Sequence, residues 1–183
     1  MTEASGWNVR IALSTIQPES WKGHAWRMHF RTYAATDHGG SLRASGRYHP
    51  ASAQTQQDPS WPALYLALSP EVALGEILRH LVPELLPRVN DYRLSELWVE
   101  LSTVLDCRNA SALGLTAADL IRDGDFAITQ EIAAEAIVRG AEGVLVPSAT
   151  GMGDNLVLFP DQLTAASRLT VISSRDPRLH VPR

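Results

Sequence analysis

Residues 62–81, P-A-L-Y-L-A-L-S-P-E-V-A-L-G-E-I-L-R-H-L, decide how the chain is read. The apolar run 62–68 has the length and composition of a buried strand, and Ser69-Pro70 then starts a helix. Serine supplies an N-cap oxygen, and proline suits the first helical position, where no backbone donor is needed. The spacing predicts a helix over 70–81 with Ala73, Ile77 and Leu81 as its apolar stripe. Glu76 borders that stripe, one turn from Val72 and Ala73 and one turn before His80. On spacing alone it reads more readily as a solvated helix charge, paired with Arg79 or His80. The sharper reading sets it in a cleft behind a buried strand, where desolvation and a nearby cation would tune it.

Working outward, H-A-W-R-M-H-F-R (24–31) alternates with period two. It predicts a half-buried strand with Trp26, Met28 and Phe30 on one face and a cationic face of Arg27, His29 and Arg31. Residues 1–23 show no sustained period and read as an arm or short helix. Residues 34–60 carry turn signals at Gly39-Gly40 and Ser45-Gly46 and read as a long loop, of a length more often functional than idle. Beyond the helix, limited by Pro83 and Pro87, E-L-W-V-E-L-S-T (96–103) alternates as a strand. Thr116 opens a short helix, and I-T-Q-E-I-A-A-E-A-I-V-R-G (128–140) a longer one, with Ile132, Ala133, Ala136 and Ile137 on one face and Gly140 as its stop. Strands at 143–147, 155–159 and 168–173 follow, the first two joined by the turn-rich S-A-T-G-M-G-D. Mostly short strands with a few helices predict an α+β fold: an arm over 1–23, one compact domain over 24–175, and a tail over 176–183.

Composition bounds the rest. A chain of 183 residues, 45% hydrophobic and 20% charged, has room for one ordinary core. A net charge of −4 gives no bulk attraction to phosphate backbones, so direct nucleic-acid binding is disfavoured, although a local patch of Arg27, Arg31, Arg43 and Arg47 survives this argument. The lone Cys107 cannot form an internal disulfide, the N-terminus lacks a signal-peptide pattern, and no run approaches the ~18 apolar residues of a spanning helix. Cytoplasm is the expected location, with no membrane. G-M-G-D-N-L (151–156) lacks a third glycine and leads into a strand, so it is no dinucleotide fingerprint. No phosphate-binding loop, nucleophile elbow or zinc spacing is present, and no metal is expected.

The residues left to carry chemistry are few. In S-G-R-Y-H (45–49), Arg47 stands beside a glycine that would let backbone approach a ligand and beside Tyr48, an aromatic able to stack. Alone it reads as a solvated loop cation; with Arg27 it makes two guanidinium forks suited to a pyrophosphate. Ser148, ending the strand V-P-S-A, either caps a turn or hydrogen-bonds a ligand at the sheet edge.

Taken in order, W-R (26–27), G-R-Y (46–48), A-L-Y-L-A-L-S-P-E-V-A-L-G-E (63–76) and V-P-S-A…G-D-N-L-V-L-F-P (146–160) resemble the RES-domain family, toxins of RES–Xre toxin-antitoxin modules. The family's arginine, glutamate and serine map to Arg47, with Arg27 as a second cation, to Glu76 and to Ser148. The resemblance implies a compact α+β domain with mixed β-sheets and flanking helices, similar to ADP-ribosyltransferases, that acts on NAD as substrate and uses no other cofactor. It implies Glu76, Arg47 and Ser148 as catalytic, and Arg27, Arg47, Tyr48, Tyr65, Ser148 and Asn155 as NAD-binding. It also implies an Xre-type helix-turn-helix antitoxin as partner, and a possible homodimer. Cleavage of the nicotinamide-ribose bond by a glycohydrolase or phosphorylase is the leading expectation, against ADP-ribosyl transfer to a protein or a catalytically inactive antitoxin partner. Two departures from the family pattern stand out: His49 where asparagine is usual, and Leu158-Phe159 before Pro160.

Overall fold

The computed structural model describes residues 7–51, 60–79 and 88–177. The expectations for His80, Leu81, Pro83 and Pro87 lie outside the described residues, as do the start of the arm, positions 52–59 of the long loop and the end of the tail. Helix α1 (Val9–Ser14) is capped by Asn8, whose side chain accepts from Arg10 N and Ile11 N. β1 (Glu19–Phe30) begins inside the stretch read as an arm and runs antiparallel to β3 (Tyr92–Asp106), itself longer at both ends than its alternating centre suggests. Between them lie β2 (Leu64–Ala67) and α2 (Pro70–Leu78), with the Ser69 hydroxyl accepting from Val72 N at 3.2 Å as its cap. The short α3 (Ala117–Ile121) carries a capping box from Thr116 and Asp119, and α4 (Ala127–Val138) buries Ile132, Ala133 and Ala136. β4 (Gly143–Pro147), β5 (Asp154–Leu158) and β6 (Arg168–Arg175) complete the order.

Among the described residues one six-stranded sheet, not several, holds the strands, in the order β1-β2-β5-β4-β3-β6. β1 also pairs with β3, so the first five close into a ring with β6 on its outside. The single parallel pair, β3 with β4, needs a long crossover, and the chain through α3 and α4 supplies it. Register then sorts side chains by face. Leu66, Leu156 and Leu145 stand in one row across β2, β5 and β4 and meet Leu97, Val99 and Ala25 inside the ring. The alternate rows, Tyr65–Val157–Val144 and Ala67–Asn155–Val146, point outward, and α1 and α4 cover part of that face. Ile132 of α4, fully buried there, contributes about 2 kcal/mol by removal from water. α2 packs Val72 and Ala73 on Met28 of β1 and Ala67 of β2.

The cationic face expected for β1 is solvated only at Arg31, just past the strand. His29 is buried and bonds Ser95 at 2.8 Å, and the Arg27 guanidinium donates to Ala35 O at 2.7 Å, because the chain after β1 folds back over this face. The long loop is likewise packed: Ala35, Tyr48, His49 and Ala51 are all buried.

Glu142, just before β4, is a fully buried acid. One carboxylate oxygen accepts from Ser102 N and Thr103 N of β3, the other from Thr164 and Ser167 of the segment leading to β6. Burial alone would raise its pKa, but the Ser167, Thr103, Ser102 and Thr164 donors outweigh it and hold the group below its ordinary 4.5. A depressed carboxylate contributes stability that is complete above 4.5 and is lost as pH falls through the folded-state value. Glu142→Gln turns an acceptor into a donor facing donors and is expected to cost about 2 kcal/mol in urea unfolding at neutral pH. Its melting temperature should also fall less steeply than wild type's below pH 4.5.

Candidate functional site

Where α2, the 45–48 loop and Phe126 at the start of α4 meet over the outward face of β2 and β5, they enclose a pocket of about 420 Å³. Glu76 reaches it from the last turn of α2 with 27% of its side chain exposed. Its Oε1 accepts from Ser148 Oγ at 2.6 Å and from Asn155 Nδ2 at 2.9 Å, while Oε2 lies 3.5 Å from Arg79 Nη1. Both donors come from the β4–β5 hairpin. Asn155 stands on the outward row opposite Ala67, whose methyl leaves it room, and Ser148 follows the last residue of β4.

Gly75 allows this approach. A β-carbon there would stand 3.1 Å from Thr150 Cγ2 and 2.5 Å from the end of Met152, so the hairpin loop rests directly on the helix one residue before the carboxylate. The G-M-G-D stretch is therefore the loop that seats α2.

Of the two roles open to Ser148, the structure shows the turn cap, its oxygen accepting from Thr150 N. It is 1% exposed, and Pro147, Ala149 and Asn155 form the wall around it. With its one hydrogen given to Glu76, its oxygen accepts from the Thr150 hydroxyl at 2.8 Å and from Thr150 N at 3.1 Å. No donor remains for a ligand, so Ser148 holds the acid from behind.

Arg47 lines the pocket with only 13% of its side chain exposed. Its Nη2 pairs with Asp123 Oδ1 at 2.9 Å, its Nη1 donates to Arg122 O, and its guanidinium carbon lies 5.4 Å from the centre of the Phe126 ring. The aromatic partner of Arg47 is thus Phe126. Tyr48, expected to stack on a ligand, is 1% exposed; its ring enters the core beside Leu105 and Cys107, and its buried hydroxyl has no hydrogen-bond partner among the described residues. Arg47 and Tyr48 are the two residues of a turn closed by the Gly46–His49 bridge, and their side chains leave it in different directions. Arg27 also lines the pocket, its pKa pushed down to about 10 by burial, with Asp37 opposing the shift. It stays charged at neutral pH.

Tyr65 and His49 explain one departure from the family pattern. His49 Nε2 donates to Ala44 O at 2.9 Å, which fixes the neutral tautomer, and Nδ1 accepts from the Tyr65 hydroxyl at 2.9 Å. Burial lowers the histidine pKa, with the Ala44 hydrogen bond opposing, in keeping with a neutral ring. The Tyr65 oxygen then accepts from Tyr48 N at 2.9 Å. A β-carbon on Gly46 would collide with the His49 ring at 2.4 Å, so the histidine fills the space a side chain would need there. Tyr65 presents its ring to the pocket while its hydroxyl anchors the loop that carries Arg47.

Two pocket residues had little or no signal in the sequence. Arg79 had one, its spacing of three from Glu76. Asp123 had none, sitting in an R-D-G-D turn that reads as solvent-exposed loop.

The RES domain family model matches residues 24–182. The chain belongs to the RES-domain family. Among solved structures, a chain of the crystal structure of the M. tuberculosis MbcT–MbcA toxin–antitoxin complex is similar to this RES domain, with a TM-score of 0.74 and 25% identity. The likeness covers 92% of this chain and 91% of that one. No curated protein matches the sequence.

Tyr65→Phe keeps the ring of this RES domain's pocket wall but strands Tyr48 N and His49 Nδ1. It is expected to lower stability by about 2 kcal/mol in urea unfolding. An unchanged midpoint would show that the tyrosine oxygen does not anchor the loop.

Proposed function

We propose that this RES domain is the toxin of a toxin–antitoxin pair, and that it cleaves NAD at the nicotinamide-ribose bond, lowering NAD and arresting growth. The observation that carries the reading is the fixed carboxylate: Ser148 and Asn155 orient Glu76 through Oε1, leaving Oε2 toward a pocket lined by Arg27, Arg47 and Arg79. Membership of the family and the likeness to a chain of the MbcT–MbcA complex support the toxin assignment. An antitoxin of the Xre helix-turn-helix type would supply the DNA binding that a chain of net charge −4 does not favour.

The chemistry needs one acid residue in its ionised form. When the C1′–N bond breaks, nicotinamide leaves with the bonding pair as a neutral base, so no proton donor is required. Positive charge builds on the ribose, and a carboxylate held beside it stabilises the oxocarbenium-like state, as in glycoside hydrolysis. Water, its proton passing to Glu76, or an anionic phosphate oxygen then bonds to C1′. Arg27 and Arg47 would take the diphosphate, and the rings of Tyr65 and Trp26 offer apolar wall to a base. Ser148 acts by positioning Glu76, since its hydroxyl is already committed.

Free nicotinamide released from NAD is the measurement. Glu76→Gln, which keeps shape and loses charge, should reduce release by about 10³-fold. Ser148→Ala, which lets the acid drift, should reduce it by about 10²-fold. Equal release by wild type and folded Glu76→Gln sinks the assignment. Analysis of the ADP-ribose product separates water, phosphate and protein acceptors.

A further inference from the structure

Asp123 bridges two arginines across the pocket. Its Oδ1 lies 2.9 Å from Arg47 Nη2 and its Oδ2 lies 2.6 Å from Arg79 Nη2, so each carboxylate oxygen takes one guanidinium. The arginines are largely covered, with side chains 13% and 26% exposed, whereas Asp123 is 65% exposed on the turn between α3 and α4. The geometry is that of a bridging anion seated on cations that belong to the pocket. Two guanidiniums brought this close repel one another unless an anion lies between them. Arg27 takes no part in the bridge; its guanidinium donates to Ala35 O.

We propose that Arg47 and Arg79 form a subsite for the diphosphate of a nucleotide ligand, and that Asp123 occupies it as a built-in substitute until the ligand displaces it. The proposal rests on the reading of the pocket as a nucleotide site and adds to it a cation, Arg79, and a competitor, Asp123. A phosphoryl group offers the same pair of oxygens with a third besides, and carries more charge than a carboxylate. Displacement is cheap because an exposed carboxylate regains water easily, and ion pairs of such exposure are weak. Arg79 also touches Glu76, so the anion subsite and the acid share one residue. A ligand seated on Arg79 is thereby brought next to the carboxylate.

An internal competitor weakens apparent affinity by the fraction of time it holds the site. Binding of ADP, followed by calorimetry, should tighten about fivefold to tenfold in Asp123→Asn. It should weaken about tenfold in Arg79→Gln, and Asp123→Asn should gain little when added to Arg79→Gln. Adenosine, which lacks phosphate, should bind wild type and Asp123→Asn alike. Asp123→Ser carries the same expectations if the asparagine variant folds poorly. Unchanged or weaker ADP binding by a folded Asp123 variant overturns the proposal, as does failure of both wild type and variant to bind ADP or inorganic pyrophosphate. Nicotinamide release on the same preparations reports on the cleavage reaction alone: wild type that releases none while ADP binding follows the expected pattern would overturn the NAD-cleaving function and leave the subsite standing.

Discussion

β3 is paired on both edges from Leu94 to Glu100, with β1 along one side and β6 along the other, before its last three residues turn to β4. Strand twist normally carries the ends of a six-stranded sheet apart. Here a strand of fifteen residues is long enough to serve different neighbours at its two ends, and β1 swings round to touch β2 at Trp26 and Ala67. Ring closure leaves one narrow apolar interior and sends alternate residues of β2, β5 and β4 to the outside. The helices must cover that outer face, and the pocket is where α2 and the start of α4 leave it bare. Glu142 clamps the same strand to the chain before β6, so its burial is tied to the closure.

The acid depends on this frame. A glutamate on a nine-residue helix would swing freely if only solvent met it. Two neutral donors from one hairpin meet a single oxygen, Oε1, and the other oxygen keeps its lone pairs for a cation or a developing charge. The donors are fixed in turn: Asn155 by its place in the sheet, Ser148 by Thr150, and the hairpin loop by contact with Gly75. A chain of neutral hydrogen bonds through Tyr48, Tyr65, His49 and Ala44 does the same for the loop bearing Arg47.

Much of this was legible in the sequence. The strand-to-helix signal at Ser69-Pro70, the two short strands flanking G-M-G-D and the apolar face of α4 lie in local patterns, and the structure places each within a few residues. The ends of β1 and β3 were not legible, because pairing with each other stabilises residues that do not alternate. The convergence of Glu76, Arg47 and Asn155 on one pocket followed from motif order and resemblance, not from spacing. Direction was the part that sequence could not carry. Tyr48 and Ser148 adjoin residues whose side chains enter the cavity, but the Tyr48 ring packs in the core and the Ser148 hydroxyl is spent on Glu76. Asp123 was invisible because its meaning lies wholly in two arginines distant along the chain.

Three arginines in one pocket of a chain with net charge −4 set two fields against each other. Beyond a Debye length of about 8 Å at physiological ionic strength, an anionic ligand is screened from both; nearer, it passes from a repelling surface to an attracting cavity. Added salt therefore weakens the outer repulsion and the inner attraction together, and the half-buried arginines feel it less. Capture of an anion by this pocket is expected to respond to ionic strength more gently than three positive charges alone suggest, with association and dissociation both depending on salt.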